Sequence, residues 1–159
     1  MAVHIRRAVA QDYQVYCDLY FEINELHRLA LPDIFQQPPG NIIEQEYFLS
    51  LLEDGHVAIF VAEIQDQVAG FIYALIREAP AYPLLVPRRY AVVDTLVVRP
   101  AFQRMGAGRA LMTRAEEWAA SQGVGEVELN VYEFNQGAQA LYNHLGYITY
   151  SRKMSKKVA

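Results

Sequence analysis

The chain has 159 residues, 53% of them hydrophobic and 20% charged, with a formal net charge of −4. This length and composition fit one folded domain over residues 1–159 and exclude both a multidomain assembly and a disordered chain. The acidic balance argues against a nucleic-acid binder, and a single cysteine, Cys17, excludes an internal disulfide. The charge is unevenly spread. Residues 10–66 carry eleven acids against one base, Arg28. Residues 67–125 carry seven arginines (Arg77, Arg88, Arg89, Arg99, Arg104, Arg109 and Arg114) against four acids. No apolar run approaches the roughly 20 residues of a membrane span, and the N-terminus lacks the apolar core of a signal peptide. The expectation is a cytoplasmic protein with no membrane partner and no nucleic-acid partner.

In chain order, His4 to Ala8 reads as an edge strand. Asp12 is placed to cap a helix in which Val15, Leu19, Ile23 and Leu26 recur every three or four residues, and Pro32 stops it. Asp33 to Gly40 is loop. Asn41 is expected to cap a second helix that runs to about Glu53, where Asp54-Gly55 breaks it. Val57 to Glu63 and Val68 to Arg77 form a hairpin about Gln65-Asp66-Gln67. Ala79 to Arg89 holds three prolines and is loop. Ala91 to Val98 reads as a central strand buried on both faces. Gly108 to Ser121 is a helix with Leu111, Met112, Ala115, Trp118 and Ala119 inward, and Met105 joins the same apolar set. Gly125 to Val131 is a strand, Asn135 to Leu145 a helix closed by Gly146, and Tyr147 to Met154 a last strand. The order βααββ-βα-βα-β predicts an α/β domain with a mixed central sheet flanked by helices.

The chemistry concentrates where the central strand runs into a helix, at Asp94-Thr95-Leu96-Val97-Val98-Arg99-Pro100-Ala101-Phe102-Gln103-Arg104-Met105-Gly106-Ala107-Gly108-Arg109. Gly106 and Gly108 let the backbone curl so that successive N–H groups face one point. With the positive end of the helix dipole they make an anion cradle suited to a pyrophosphate. A P-loop would require Lys-Ser/Thr after the last glycine, where Arg109-Ala110 stands. A dinucleotide fingerprint would require a third glycine that is missing.

Gln103-x-x-Gly106-x-Gly108 instead resembles motif A of the GNAT superfamily, the acetyl-CoA-dependent N-acetyltransferases. The stretch Leu129-Asn130-Val131-Tyr132-Glu133-Phe134-Asn135, followed by Ala138, Ala140, Leu141-Tyr142 and Leu145-Gly146-Tyr147, is similar to that family's motif B. The resemblance covers nearly the whole chain and is strongest from Asp94 to Met154.

The resemblance implies a CoA thioester as acyl donor, an amine as acceptor, and no metal. It implies that the Leu96 N–H is the oxyanion donor. The backbone of Leu96, Val97 and Val98 would pair with the pantetheine arm. Arg104, Met105, Gly106, Ala107, Gly108 and Arg109 would wrap the pyrophosphate, with Gln103 shaping the loop and Asn135 touching the CoA arm. Tyr142 matches the general acid that protonates the departing thiolate. Taken alone, Tyr142 reads as a core tyrosine and Asn135 as an N-cap.

No general base is evident. Asn130 and Val92 stand where some members of the family carry glutamates. Asp94 or Glu128 is a candidate, as is a base acting through water or bulk solvent. Alternation along a strand puts Asp94 on the same face as Leu96. His27, Asp33 and Phe35 are candidates for the acceptor site, and the acidic first third suits a cationic acceptor. The four histidines show no metal-ligand spacing. A homodimer through the last strand, with Tyr147 and Tyr150, is a further expectation. A CoA-binding module without catalysis is the alternative to an enzyme.

Overall fold

The computed structural model describes residues Met1–Ala159. Five strands form one sheet in the order β1 (His4–Arg7), β2 (Val57–Ile64), β3 (Gln67–Glu78), β4 (Arg89–Val98) and β5 (Val127–Leu129). Neighbours are antiparallel except β4 and β5, which are parallel. Helices α1 (Tyr13–Ala30) and α2 (Gln45–Glu53) precede β2, α3 (Ala107–Ser121) crosses from β4 to β5, and α4 (Gln136–His144) follows β5. A parallel pair needs such a crossover, because a tight turn can only reverse the chain.

The sheet is apolar on both faces. On one side Phe60, Ile72 and Val93 meet Leu111, Met112 and Trp118 of α3 and Tyr142 of α4. On the other, Val61, Phe71 and Val97 meet Tyr16 and Leu19 of α1 and Phe48 of α2. The hairpin turn puts Gln65 and Asp66 at φ 52° and 60°. These are the two positive φ values that a two-residue turn needs to match strand twist. At Gly70 the strands approach so closely that a Cβ would run into the carbonyl oxygen of Val97.

Asp12 starts α1 through a network rather than a simple cap. It is buried and accepts from the Val9 N–H at 2.8 Å and from both Arg6 guanidinium nitrogens at 2.8 and 3.0 Å. Burial works to raise its pKa. The hydrogen bonds from Arg6 and Val9 outweigh burial and hold the carboxyl below its usual range.

Four expectations are corrected. The second helix begins at Gln45, not at Asn41. The Asn41 carboxamide oxygen accepts from the Ile43 N–H at 3.1 Å and its nitrogen donates to Tyr13 Oη at 2.8 Å, a local turn that competes with helix. The fifth strand is only three residues long. The last strand, Tyr147 to Met154, is not formed. Gly146 takes φ 92°, the Tyr147 N–H closes back onto Tyr142 O at 3.0 Å, and Tyr147 Oη donates to Glu116 at 2.9 Å. Beyond that anchor Ile148, Tyr150 and Met154 face outward with no ladder to join, since alternation alone supplies no partner edge. Met105 is exposed rather than part of the core.

Candidate active site

The site begins at an irregularity in β4. Thr95 pairs with Tyr73 and Val93 with Ala74, so Asp94 is an extra residue, a β-bulge. Its effect can be followed through the hydrogen bonds. The Ala91 N–H points towards β5 and donates to Glu126 O, whereas the Arg99 N–H points towards β3 and donates to Ala69 O. Both positions are odd, and N–H direction alternates along a strand, so the alternation flips at the bulge. Past it, the N–H groups of Leu96 and Val98 turn to the β5 side. There β5 has already ended its pairing, at Val93 opposite Leu129. A strand edge with two donors therefore opens into the gap between β4 and the chain after Leu129.

The bulge also overturns the expected placement of Asp94. Leu96 packs on the α3 side of the sheet. Asp94 points to the α1 side, where it accepts from Thr95 Oγ1 at 2.9 Å and from Tyr20 Oη at 3.3 Å. Thr95 Oγ1 and Tyr20 Oη lie 2.8 Å apart. Alternation fails because a bulge sends two successive side chains to one face. Expected burial on both faces fails for the same reason: Asp94 is exposed, and Leu96 and Val98 are only half-buried beside the gap.

At the end of β4 the chain makes a 3₁₀ turn, Pro100–Phe102. Gln103 Nε2 donates to Val98 O at 3.1 Å, tying the loop to the strand. Arg104 at φ 66° and Gly106 at φ 89° bend the backbone before α3 starts at Ala107. A non-glycine at positive φ is strained and persists where the surroundings hold it. The N–H groups from Arg104 to Arg109 donate to no backbone or side-chain acceptor; the first to close is Ala110, onto Gly106 O at 3.0 Å. Free donors converging at a helix N-terminus are what a pyrophosphate requires. Gly108 allows α3 to approach α4, since a Cβ there would sit 3.2 Å from Leu141 Cδ2. Arg104 and Arg109 are uncovered and form no ion pair.

Helix α4 presents Tyr142 to the same core as Leu96. Tyr142 is buried, and loss of solvent pushes its phenol up to about 12. It stays protonated at any ordinary pH, and its hydroxyl has no hydrogen-bond partner within the protein. Asn135 caps α4, accepting from the Ala138 N–H at 3.1 Å. The capping role is therefore real, and it leaves both amide N–H donors and one lone pair of the oxygen for other contacts.

On the α1 side of the bulge lies a cleft of about 280 Å³. Its walls are mostly tyrosines, Tyr16 and Tyr20 from α1, Tyr47 from α2 and Tyr73 from β3, joined by Ile43, with Arg77 and Asp94 as the charges. Burial, the largest effect, raises the Tyr16, Tyr20 and Tyr73 phenols, Tyr20 to about 12. Sequence reasoning missed Tyr20, Tyr47, Tyr73, Arg77 and Thr95. The available signal was eleven tyrosines in one chain, with Tyr13, Tyr16 and Tyr20 at helical spacing.

The three acceptor-site candidates separate. His27 and Phe35 come together with Tyr132 and Phe134 of the loop after β5, at ring distances of 5.1–5.6 Å. His27 Nδ1 lies 2.8 Å from Ile23 O. A carbonyl only accepts, so Nδ1 carries the proton in this contact. Asp33 is not in this group; it points outward and pairs with Lys157 at 2.7 Å. Cys17, on α1, is half-buried, with Sγ 4.0 Å from Ile43 O. No set of three or more His, Cys, Asp or Glu side chains is arranged to hold a metal ion, and no helix is long and apolar enough to cross a membrane.

The model of the Acetyltransferase (GNAT) family matches residues 20–147. The chain belongs to the GNAT acetyltransferase family. It is an N-acetyltransferase, as its relatives are. A thialysine N-epsilon-acetyltransferase of Caenorhabditis elegans is 29% identical over 134 residues, 82% of this chain and 77% of that protein. The fold is shared with a mutant of the BH1408 protein from Bacillus halodurans at a TM-score of 0.90, with 22% identity and coverage of 98% and 99% of the two chains. It is also shared with AAC(6')-Iy in complex with the bisubstrate analogue CoA-S-monomethyl-acetylneamine, at a TM-score of 0.75 and 17% identity, over 100% and 99%.

Proposed function

We propose that this GNAT acetyltransferase moves the acetyl group of acetyl-CoA directly to a primary amine of a small molecule or peptide. The observation that carries the reading is the pairing of two donor sets: the free N–H groups from Arg104 to Arg109 and the Leu96 and Val98 N–H groups turned into the gap by the bulge. The first set suits the pyrophosphate of CoA and the second its pantetheine arm and thioester. The structural neighbour holding a CoA-based bisubstrate analogue supports the same reading. The C. elegans relative, which by its name acetylates an ε nitrogen of thialysine, supports an amine acceptor.

Acetyl-CoA supplies an activated carbonyl, so the protein needs no nucleophile of its own. The Leu96 N–H stabilises the oxyanion that develops when the amine nitrogen adds to that carbonyl. Tyr142, protonated throughout the working range, gives its proton to the sulfur as the carbon–sulfur bond breaks. Asp94, with Tyr20 and Thr95 bonded to it, takes the proton that the amine loses. One proton thus leaves nitrogen and one reaches sulfur, and the products are the amide and free CoA thiol.

The test is a panel of amines and peptides with acetyl-CoA, read by release of free thiol. The expected result is thiol release that depends on an unprotonated primary amine. CoA binding without release for any acceptor would refute transfer and leave a binding module.

A further inference from the structure

We infer that the acceptor carries a carboxylate several bonds away from its reacting amine, and that Arg77 binds that carboxylate while Asp94 faces the amine. The inference rests on the acetyl-transfer reading above and extends it to substrate class.

The arginines point to it first. Of the seven in residues 67–125, four are committed to carboxylates: Arg88 to Glu126 and Glu128, Arg89 to Glu78, Arg99 to Glu22 and Arg114 to Glu117. Arg77, Arg104 and Arg109 have no carboxylate within 4.0 Å. Two of these three flank the loop suited to a pyrophosphate. The third, Arg77, lines the tyrosine cleft together with Asp94.

Arg77 and Asp94 share that cleft without pairing. Their places in the sheet explain why. Arg77 lies opposite Tyr90, whereas the bulge at Asp94 lies level with Tyr73, four residues away along the strands. That is about 13 Å of strand, of which an extended arginine side chain spans part. A positive group at one end of a cleft and a negative group at the other, held apart, match a molecule with the reverse charges separated by a short chain. The cleft's 280 Å³ lies at or below the roughly 300–1,000 Å³ of sites for drug-sized ligands, so the molecule is small. Its walls are aromatic faces, which suit both an alkyl chain and an ammonium.

Orientation follows from the bulge. Asp94 is two residues from Leu96, whose N–H faces the gap, so the reacting amine belongs at the Asp94 end. The carboxylate, and any α-amine beside it, belongs at Arg77. A diamino acid would therefore be acetylated on its side-chain nitrogen.

The experiment compares ornithine and lysine with putrescine and cadaverine, their decarboxylated counterparts, using acetyl-CoA and thiol release, with mass spectrometry to place the acetyl group. The expected result is a kcat/KM at least tenfold higher for the diamino acids, with acetylation on the side-chain nitrogen. Arg77→Gln should reduce that preference at least tenfold through KM, and Arg77→Lys should recover part of it. Equal or better use of the diamines, a preference that survives Arg77→Gln, acetylation on the α nitrogen, or no turnover of any carboxylate-bearing amine would each overturn the inference. If simple amines are still acetylated, the inference alone falls; if no amine of any class releases thiol, the acetyl-transfer reading falls with it.

Discussion

Removing one oxygen from Tyr142 separates its packing role from its chemical one. The ring is 9% exposed and sits in the core shared by α3, α4 and the sheet, so its carbon framework holds that core together. The hydroxyl has no protein partner, and Tyr142→Phe leaves no acceptor stranded. The change should therefore alter stability by no more than about 0.5 kcal/mol, or about 2 °C in Tm for a chain of this size. A lost general acid costs about 10²- to 10⁴-fold in rate, or about 3–5 kcal/mol of barrier. The assay is kcat by thiol release from pH 6 to 10, with thermal unfolding and CoA affinity measured on the same samples. The raised phenol adds a sign to check. The folded phenol titrates near 12 and the unfolded one near 10.0, so the unfolded state ionises first as pH rises. Ionisation of the unfolded phenol should thus lower wild-type stability by up to about 3 kcal/mol between pH 10 and 12, a loss that the Phe variant escapes, with no difference from this source below pH 10. No falling limb of wild-type activity below about pH 11 should then come from Tyr142. A Phe variant within twofold of wild-type kcat at every pH would refute the acid role. A variant of much lower Tm would refute the claim that the hydroxyl is free.

Gly70→Ala should lower stability by about 3 kcal/mol, because the new Cβ meets the Val97 carbonyl and β3 and β4 must part; an unchanged urea midpoint would show that the sheet yields. Asp12→Asn should cost about 1–3 kcal/mol at pH 7, since it removes the charge from two hydrogen bonds to Arg6 while the guanidinium keeps its ion pair with Glu63 at 2.8 Å. The Asp12 carboxyl is held below 3.8, so its contribution is present above pH 4 and lost as pH falls through the folded value; unfolding curves from pH 7 to 3 should be flatter in the variant. Gly106→Ala forces a Cβ at φ 89° and should raise KM for acetyl-CoA about tenfold, more than it changes kcat, which steady-state kinetics will read.

Much of this molecule was legible in the chain because it rests on local rules. Spacing of apolar residues located all four helices and the hairpin. Glycines at 106 and 108 after a β-branched run marked the turn from β4 into α3, and helical spacing placed Tyr142 on the inward face of α4. The tyrosine cleft was not legible in this way. It is assembled from α1, α2, β3 and β4, and no local pattern links Tyr20 to Thr95 across 75 residues of chain. Within the three predicted acceptor residues, His27 and Phe35 meet the loop after β5, whereas Asp33, two residues from Phe35, turns away to Lys157.

The net charge of −4 and the arginines of the middle segment were both plain from the sequence. Which of those arginines are free was not, because pairing depends on which carboxylates the fold brings within reach. The same holds for Asp94. Its identity and position are sequence facts, and alternation alone puts it beside Leu96. One extra residue against Tyr73 and Ala74 reverses that, sending Asp94 to the tyrosine cleft and the Leu96 N–H to the open gap. A bulge is decided by how two strands fit together under the packing of both sheet faces, and that fit exists only in the folded molecule.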